Sequence, residues 1–555
     1  MLTFPHFDPH FPRDMWVLPR ILESQSVRFA DRPFLSWTDE NKPLSFSQVN
    51  AQVNSLAHGF AAEGVTKGDK VVLYMSNCLE FVLTWFALTK LGAAEVPVGD
   101  IQKGVFLQHQ LNVSQAKYIV TTRELMAQIA EVEADVPLLE TCYLLGDENT
   151  SSPFKRIKVK PYSSLYSGNT ENPGIAVAPS DTAAILYTSG TTSWSKGVVM
   201  SHSQMYFFAE EDVQLVRLTS EDVYMTGFPL FHGNAQFLTV YPCLIAGAHC
   251  VLYPRFSASD FIGRARRSGA TVTNLLGAVM SFICDAPPQP DDREHKLRRI
   301  YAAPLAFDLA KTFTDRFGPM EFVDGFGQTE ISLVFMTPPG ANRPEGASGV
   351  LVDQFFEIKL VDPDTDEDVP VGEGGELLVR NKQPYIMCSE YLGMPEKTVE
   401  TWRNLWFHTG DVLRRDNEGW YYFIDRVSDS LRRRGENVSS FEVELVVRSH
   451  PAILECAVIG VKADEQGGED EVKACVIVND GMELDFADLI EWCDQRMGAH
   501  MVPRYIEIYK SLPKTPSEKI KKNELRKLGV TANTWDRQRA GVKLAKTRIE
   551  GKAVM

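Results

Sequence analysis

Short apolar runs alternate along this chain with longer segments in which apolar residues recur every three or four positions. The runs at 71–74, 118–120 and 183–186 have the length of buried strands. Segments 47–61 and 80–91 have helical spacing. Strands that alternate with helices in this way predict a layered α/β fold with largely parallel sheets.

A second, smaller unit begins near residue 428. The runs at 457–461 and 473–478 predict strands, and 486–497 has helical spacing. About 100 residues is a plausible size for a small α/β domain. Two polar, proline-bearing segments, 147–181 and 285–296, predict surface connections.

Length and charge narrow the class of protein. A chain of 555 residues is long enough for several structural units with large buried cores. The formal net charge of −16 argues against general nucleic-acid binding and against simple attachment to anionic lipid. A local positive pocket for an anionic ligand is compatible with that charge.

Cysteine usage and the absence of targeting signals indicate a cytoplasmic protein. Nine cysteines are scattered singly without a CxxC pair, which predicts reduced thiols with no zinc site and no disulfide framework. The first residues lack the basic and apolar regions of a signal peptide. The apolar stretch 81–88 is too short to span a bilayer, so we expect no integral membrane segment.

The segment YTSGTTSWSKG at 187–197 is the most informative stretch of the chain. It contains six small hydroxyl residues, two glycines and Lys196, directly after the apolar run 183–186. Such a loop can offer backbone N–H groups, hydroxyls and one positive charge to a triphosphate. Its spacing differs from that of the P-loop GxxxxGK[ST]. Composition alone fits an ordinary surface turn equally well.

The order of these residues resembles the YTSGTTGxPKG signature of adenylate-forming enzymes. That superfamily contains acyl-CoA synthetases, stand-alone adenylating domains and beetle luciferases. Ser193 stands where the signature has glycine, and Ser195 stands where it has proline. The resemblance implies that ATP binds to a set of loop residues comprising Thr188, Ser189, Gly190, Thr191, Thr192 and Lys196.

The resemblance runs from the apolar 81–98 region to Lys519 and implies a domain organisation. It implies a large N-terminal adenylation body at 1–427 and a small mobile C-terminal α/β lid at 428–530, followed by a tail at 531–555. The hinge lies just after Asp425-Arg426.

The segment DGFGQTE at 324–330 is the second motif. Glycines on both sides of Phe326 allow close approach to a flat ligand, and the carboxylate of Glu330 suits Mg²⁺ held on phosphates. A glycine turn followed by a helix-capping Thr-Glu is the alternative. Similarity to the family's YGxTE signature implies adenine contact at Asp324, Gly325 and Phe326, phosphate contact at Thr329, and magnesium at Glu330.

The third motif is HTGD at 408–411, followed by Asp425-Arg426. A carboxylate in a turn can accept hydrogen bonds from the two hydroxyls of a ribose, although an Asp in a Thr-Gly turn is usually turn chemistry alone. The match to the family's TGD motif implies that Asp411 binds the ribose and that Arg426 contacts ribose or phosphate.

The fourth motif is FPLFHGNAQ at 228–236. A histidine beside aromatic residues is more often a core residue than a catalyst. In the related PLFH motif this histidine lies beside the acyl pocket and the α-phosphate, which implies a gating and orienting role for His232. Asn234 and Gln236 either face the acid or cap backbone groups.

The fifth and sixth motifs lie in the smaller unit. In LPKTPSEK, 512–519, similarity to the family's PxTxxGK ending makes Lys519 the catalytic lysine of adenylation, whose charge stabilises the transition state at the α-phosphate. In RRRGEN, 432–437, Gly435 matches the glycine that lines the pantetheine tunnel of acyl-CoA synthetases. As plain charge runs, both segments would be solvated surface.

Together these matches imply an acid–thiol ligase, an AMP-forming acyl-CoA synthetase. A carboxylate attacks Mg·ATP to give an acyl-adenylate and pyrophosphate, and CoA then gives the thioester and AMP. Within the family, FHGNAQ, 275–278 and 534–537 look most like crotonobetaine/carnitine-CoA ligase-type synthetases. The expected partners are a small-molecule carboxylic acid, ATP and CoA, without nucleic acid, and the sequence is compatible with a homodimer. A small polar acid and a bulky ring-bearing or fatty acid both remain open as the substrate.

Two other functions remain open at this point. An adenylating enzyme could load the acyl group onto a carrier protein, and a catalytically silent nucleotide-binding regulator could keep the fold. The intact Glu330, Asp411 and Lys519 argue against the silent regulator.

Overall fold

The computed structural model describes residues 2–39, 42–146, 151–188, 194–305, 307–427, 431–433, 436–438, 440–462, 470–497, 501–514 and 520–544. No described helix is both long enough and apolar enough to cross a membrane.

The strands carry the sites and are numbered in chain order. They are β1 Pro33–Trp37, β2 Leu44–Ser45, β3 Lys70–Tyr74, β4 Ala94–Val98, β5 Tyr118–Thr122, β6 Thr141–Leu145, β7 Lys158–Pro161, β8 Thr182–Thr188, β9 Lys196–Ser201, β10 Val223–Thr226, β11 His249–Leu252, β12 Val272–Leu275, β13 Arg299–Ala302, β14 Glu321–Val323, β15 Gly325–Gln328, β16 Ser332–Met336, β17 Ala347–Leu351, β18 Phe356–Val361, β19 Gly375–Asn381, β20 Phe407–Arg415, β21 Trp420–Arg426, β22 Leu431–Arg433, β23 Glu436–Val438, β24 Ile453–Lys462, β25 Asp470–Val478, β26 Tyr505–Ile508 and β27 Trp535–Asp536.

The helices cover and separate the sheets. They are α1 Leu18–Arg28, α2 Phe46–Ala62, α3 Leu79–Lys90, α4 Gly104–Ser114, α5 Arg123–Glu131, α6 His202–Val216, α7 Gly233–Ala235, α8 Tyr241–Ala246, α9 Phe261–Ser268, α10 Gly277–Asp285, α11 Phe307–Phe317, α12 Pro395–Thr401, α13 Ser440–Arg448, α14 Phe486–Asp494 and α15 Lys522–Leu528.

Two seven-stranded sheets confirm the predicted parallel α/β architecture. One has the order β14-β13-β12-β10-β11-β1-β2 and is parallel up to β1. The other has the order β7-β6-β5-β3-β4-β8-β9 and is parallel up to β8, with β9 antiparallel. Strand β7 belongs to this sheet, so segment 147–181 contains more than a surface connection.

The third seven-stranded sheet is antiparallel and was not predicted. Its order is β15-β16-β17-β21-β20-β19-β18, and all its pairs are antiparallel. It carries the second motif on β15 and the third on β20, which three strands separate in this order. The Gln328 side chain joins the two motifs, because it donates to the carbonyl of Thr409 at 3.1 Å and to the Asp411 carboxylate at 2.6 Å.

Helix α6 ties the three sheets together. It contacts strands β8 and β9 of one parallel sheet, β13 of the other, and β16 of the antiparallel sheet. It is buried almost all round, which is the pattern of a core helix rather than a surface helix. Its N-cap Ser201 accepts a hydrogen bond from the backbone N–H of Gln204 at 3.1 Å, which fixes where the helix begins.

The smaller unit has its own sheet, β24-β25-β26-β27. The long hairpin β24–β25 is antiparallel, and β26 runs parallel to β25. Strand β27 pairs with β26, and Arg504 bonds the Asp536 carboxylate at 3.2 Å. Part of the expected tail at 531–555 therefore contributes a strand to this sheet.

Candidate active site

Strands β8 and β9 hold side by side the two ends of segment 187–197, the predicted phosphate loop. Tyr187 pairs with Gly197, and Thr188 pairs with Lys196. The hydroxyl of Thr188 is buried and has no hydrogen-bond partner among the described residues, as expected of a donor reserved for a ligand. Ser189, Gly190, Thr191 and Thr192 lie outside the described residues, so their phosphate contacts stay predictions.

The segment that precedes α12 runs along the outer edge of β9. The backbone N–H of Leu392 donates to the carbonyl of Gly197 at 2.8 Å, and Val198 bridges to Tyr391. A Cβ on Gly197 would lie 3.0 Å from the Ile185 side chain and 3.6 Å from Leu392. The distance to Leu392 is an ordinary contact, so the backbone pairing with β9, rather than the glycine, places the Tyr391 ring beside Lys196.

Tyr391 links the first motif to the second. The Nζ of Lys196 lies 4.3 Å from the centroid of the Tyr391 ring. The Tyr391 hydroxyl donates to Oε1 of Glu330 at 3.0 Å. Burial and the Glu330 charge raise the pKa of Tyr391, so its hydroxyl keeps its proton and remains a donor.

Electrostatics at this link favour an anionic ligand. Burial lowers the pKa of Lys196, while the Glu330 carboxylate opposes that change and Arg426 adds to it. Lys196 and Arg426 repel each other across this half-buried site, and the negative charge of a bound phosphate would reduce that repulsion.

Glu330 lies in a turn held by the core helix. The Gln204 side chain, on α6, donates to the carbonyl of Thr329 at 2.9 Å and to that of Glu330 at 3.2 Å. No described group of three or more His, Cys, Asp or Glu side chains could hold a metal. One buried carboxylate fits Mg²⁺, which is commonly held by one or two carboxylates together with substrate phosphates and waters.

The glycines of the second motif form a tight hairpin rather than a helix start. Strand β15 turns directly into β16, so the helix-capping alternative for Thr-Glu does not occur. A Cβ on Gly327 would lie 1.9 Å from the carbonyl oxygen of Ser332, so only glycine fits there. Phe326 is half-buried, and its ring stacks on Phe423 at 6.2 Å.

Asp324 has a structural carboxylate. It accepts from the N–H of Leu305 at 3.2 Å, from that of Gly325 at 2.8 Å, and from Arg343 at 3.3 Å. Burial raises the pKa of Asp324 to about 7, with Arg343 opposing the rise. The side chain thus fixes the backbone around Gly325 and Phe326, and the adenine contact there stays a prediction.

The third motif lies beside the second. Asp411 on β20 pairs in register with Arg426 on β21, and the Arg426 guanidinium lies 3.2 Å from the Asp411 carboxylate. The Gln328 side chain donates to the same carboxylate at 2.6 Å. The buried Asp411 is therefore oriented from two sides, as a carboxylate that receives two ribose hydroxyls must be.

Glu376 holds the HTGD segment, which lies inside β20 and not in the turn that the sequence predicted. Its carboxylate accepts from the N–H of Gly410 at 3.0 Å and lies 3.1 Å from the Nδ1 of His408. Gly410 has a φ of +69°, a conformation that favours glycine.

The fourth motif packs against the end of β8. Asn77 holds it, donating to the carbonyl of Phe228 at 2.8 Å and accepting from the N–H of Leu230 at 2.7 Å. The half-buried ring of His232 lies 4.3 Å from that of Phe231. A Cβ on Gly233 would lie 3.6 Å from the side chain of Leu186, which places this part of the motif beside β8, two residues before Thr188.

The two amides of this motif differ in their surroundings. Gln236 is fully buried and donates to the carbonyl of Leu230 at 2.7 Å, which is the backbone-capping alternative. Asn234 is half-buried and accepts from the Asn274 side chain at 2.8 Å. Residues Gln236–Val240 form a π-helical turn, a feature that is frequent at functional sites.

Lys519 and Gly435 lie outside the described residues, so their roles stay predictions. The chain on both sides of 515–519 is described: Lys514 bridges to Ile520, and Lys522 donates to Ser440 Oγ at 2.6 Å. The N–H of Ser440 in turn donates to Asp425 at 2.6 Å, at the end of β21.

Sequence reasoning missed Tyr391, Gln328 and Gln204 as parts of the site. Gln328 stood inside a motif and could have been singled out for its amide. Tyr391 and Gln204 carry no local signal, because their role follows from sheet edges and helix packing that join distant parts of the chain.

We expect Tyr391→Phe to raise the Mg²⁺ concentration needed for half-maximal adenylation by about tenfold, because a hydrogen bond to the carboxylate is lost. The ring remains under Lys196, so the KM for ATP should change little. Tyr391→Leu removes the ring as well and should raise both. Magnesium titrations at saturating ATP measure this, with Tyr166→Phe as a control at an exposed tyrosine. An unchanged Mg²⁺ requirement in Tyr391→Phe contradicts the prediction.

Comparisons with known proteins point to one family of enzymes. Residues 22–392 match the family described as AMP-binding enzyme, and residues 442–519 match the AMP-binding enzyme C-terminal domain. The crotonobetaine/carnitine–CoA ligase of Salmonella paratyphi C (strain RKS4594) is 32% identical over 495 residues, covering 87% of this chain and 93% of that protein.

Solved structures share the fold across both units. The anthranilate CoA ligase AuaEII in complex with anthranoyl-AMP has a TM-score of 0.83 at 26% identity, covering 93% of this chain and 98% of that one. ATP-bound MatB from Rhodopseudomonas palustris has a TM-score of 0.80 at 24% identity, covering 91% and 98%. The latter likeness concerns the fold.

These likenesses confirm the predicted reaction class, an AMP-forming acyl-CoA ligase that uses ATP and CoA, with Mg²⁺ as the usual metal. The AMP-binding match alone spans most of the chain, and the curated relative covers nearly all of it. This chain therefore belongs to the AMP-binding enzyme family.

Proposed function

We propose that the cluster formed by Lys196, Glu330, Asp411 and Arg426 is the adenylation site of this acyl-CoA ligase. The observation that carries the proposal is the pair of links between distant motifs: Tyr391 joins Lys196 to Glu330, and Gln328 donates to Asp411. Residues separated by more than 200 positions thereby face one ligand.

Each group has a distinct task in binding ATP. Lys196 and the loop 188–192 receive the phosphates, while Asp411 and Arg426 receive the ribose. The adenine lies along Gly325 and Phe326, whose backbone Asp324 fixes. Thr329 contacts phosphate. Magnesium on Glu330 would neutralise charge that develops on the phosphates.

His232 lies where the acid must approach the α-phosphate. Its segment is fixed by Asn77 and packs against β8, so the ring is held beside the loop. A positioned imidazole there orients the carboxylate and closes the acyl pocket after the acid enters.

The second half-reaction depends on the smaller unit. We propose a body at 1–427 and a lid at 428–530 whose sheet continues into the tail, 531–555, through β27. The lid moves about the chain after Arg426. Lys519 serves adenylation, and Gly435 lines the path of the CoA thiol in the second lid position. The gap between the two family matches, 393–441, contains this hinge.

An assay of both half-reactions over a panel of acids tests the function. Carboxylate-dependent exchange of pyrophosphate into ATP reports adenylation, and AMP release with and without CoA reports thioester formation. A carrier-loading enzyme would show exchange without CoA-dependent AMP release, and a silent regulator would show neither. The panel should include carnitine-like, aromatic and fatty acids, since the relatives are named for crotonobetaine, carnitine and anthranilate.

Asn234→Ala should change the ranking of acids while leaving the KM for ATP nearly unchanged, because Asn234 is the half-buried amide beside His232. Gln236→Ala is the matched control: its amide caps a backbone carbonyl in the core, so its loss should lower the melting temperature and preserve the ranking. Initial rates over the acid panel measure both. A wild-type ranking in Asn234→Ala would make this amide structural too.

We propose a cytoplasmic location and small-molecule partners only. All nine cysteines are free thiols, which suits a reducing compartment. The net charge of −16 disfavours nucleic acid as a partner. A homodimer is the assembly to test by light scattering.

A further inference from the structure

Helix α4 holds both ends of the phosphate loop. Before the loop, the hydroxyl of Tyr187 donates to the carbonyl of Gln110 at 2.5 Å. After the loop, the Gln110 side chain donates to Ser195 Oγ at 3.1 Å, and the Nε2 of His109 lies 3.0 Å from the Ser195 carbonyl oxygen. One turn of α4 therefore contacts the chain where it enters the loop, at Tyr187, and where it leaves the loop, at Ser195. We call the segment 194–196, which leaves the loop, the returning arm.

Trp194 adds an aromatic contact on the returning arm. Its indole stacks on the His109 ring with centroids 4.8 Å apart and planes 28° apart. Phe106, one turn earlier on α4, lies 5.8 Å from the same indole. Trp194 is 48% exposed, so this contact is a surface clamp rather than part of a hydrophobic core.

The clamp lies at the position where this chain departs from the family's loop signature. Ser195 stands in place of a proline, and a serine there leaves the arm more freedom in φ than a proline would. Lys196 follows immediately, so freedom at Ser195 becomes freedom of the ammonium group that faces the phosphates. The two hydrogen bonds to Ser195 and the stack on Trp194 restrict the two residues that directly precede Lys196.

We propose that His109 is a positioning residue for ATP: with Trp194 it clamps the returning arm of the phosphate loop and replaces the rigidity that proline supplies elsewhere in the family. The proposal rests on the phosphate-binding role of the loop stated above. His109 touches neither ATP nor the acid; it acts through Ser195 and Lys196.

The clamp should matter for only one half-reaction. ATP carries the phosphates that the loop receives, whereas an acyl-adenylate has already lost pyrophosphate. His109→Ala removes one hydrogen bond and one aromatic pair, and we expect the KM for ATP to rise about tenfold. Conversion of supplied acyl-adenylate and CoA to thioester should keep its wild-type rate, which also shows that the variant is folded.

Two further variants separate the contributions. His109→Phe keeps a ring for Trp194 but loses the bond to Ser195, so its KM for ATP should lie between those of wild type and His109→Ala. His58→Ala is the matched control. His58 lies on helix α2, and its Nε2 is likewise 3.0 Å from a backbone carbonyl oxygen, that of Glu171. Its KM for ATP should be that of wild type.

Restoring the family's proline gives the sharpest test. Adding Ser195→Pro to His109→Ala should return the KM for ATP to within about threefold of wild type, because the proline restricts the arm without help from α4. A double variant no better than His109→Ala, with Ser195→Pro alone active, overturns the replacement of proline by the clamp.

Lys196→Ala distinguishes the clamp from the function on which it rests. If Lys196→Ala raises the KM for ATP and His109→Ala does not, the clamp is wrong and the loop assignment stands. If neither variant changes the KM for ATP, the loop does not bind the phosphates, and the clamp loses the role on which it rests. Equal loss of both half-reactions in His109→Ala overturns the proposal, since that pattern indicates general destabilisation.

Discussion

Replacing Glu330 by glutamine is expected to slow acyl-adenylate formation by about 10²- to 10³-fold while ATP analogues still bind. Glutamine keeps the shape of the side chain and can still accept from Tyr391, but it removes the charge that positions Mg²⁺. The proposed binding of ATP through Phe326 and Asp411 does not depend on that charge, so the loss should fall on kcat.

Pyrophosphate exchange at varied Mg²⁺ measures the effect. Raising Mg²⁺ should recover part of the activity, because phosphates and waters still provide oxygen ligands. Glu357→Gln is the control, since Glu357 is an exposed carboxylate paired with Arg380. Wild-type activity of Glu330→Gln at limiting Mg²⁺ would remove Glu330 from the metal site.

The two largely parallel sheets could be predicted from the sequence for a physical reason. Strands covered by helices on both faces are apolar throughout, and the runs at 71–74, 118–120 and 183–186 became β3, β5 and β8. Helices α2 and α3 were visible from their spacing, and each boundary shifted by only one residue.

The antiparallel sheet could not be predicted in the same way. Its strand β15 consists of Gly-Phe-Gly-Gln, which reads as a turn, and it forms a strand only because β16 folds back closely over Gly327. Strand β7 was hidden because the lysines of Lys158–Pro161 resemble a surface connection.

For the candidate site, motif order predicted the residues but not the contacts that join them. Lys196, Glu330 and Asp411 were each found from local sequence, yet nothing local indicates that Tyr391 connects the first two. That link depends on the segment beside α12 adding to the edge of β9, which is a property of strand order. The departures at Trp194 and Ser195 likewise made sense only once α4 was seen beside them.

The other large expected effect concerns the lid. Lys519→Ala should reduce acyl-adenylate formation by about 10²- to 10³-fold, because an ammonium aimed at the transition state is lost. The chain on both sides is held in place: Lys514 and Ile520 form an antiparallel β-bridge, and the Nζ of Lys522 lies 2.8 Å from the Glu444 carboxylate. The substitution should therefore leave the lid folded. Lys521→Ala, at a neighbouring lysine paired with Glu524, is the control and should keep adenylation.

The same Lys519→Ala variant should still convert supplied acyl-adenylate to thioester, because the lysine has no task after pyrophosphate leaves. Gly435→Ile should do the reverse, since its side chain would obstruct the thiol's path while adenylation continues. Rapid-quench measurement of each half-reaction compares the two variants, and each serves as the folding control of the other. Equal loss of both half-reactions in both folded variants would mean that one lid position serves the whole reaction. If each variant loses a different half-reaction, the lid must present two different faces to the active site. One face carries the charge of Lys519, and the other leaves a narrow path for the thiol at Gly435.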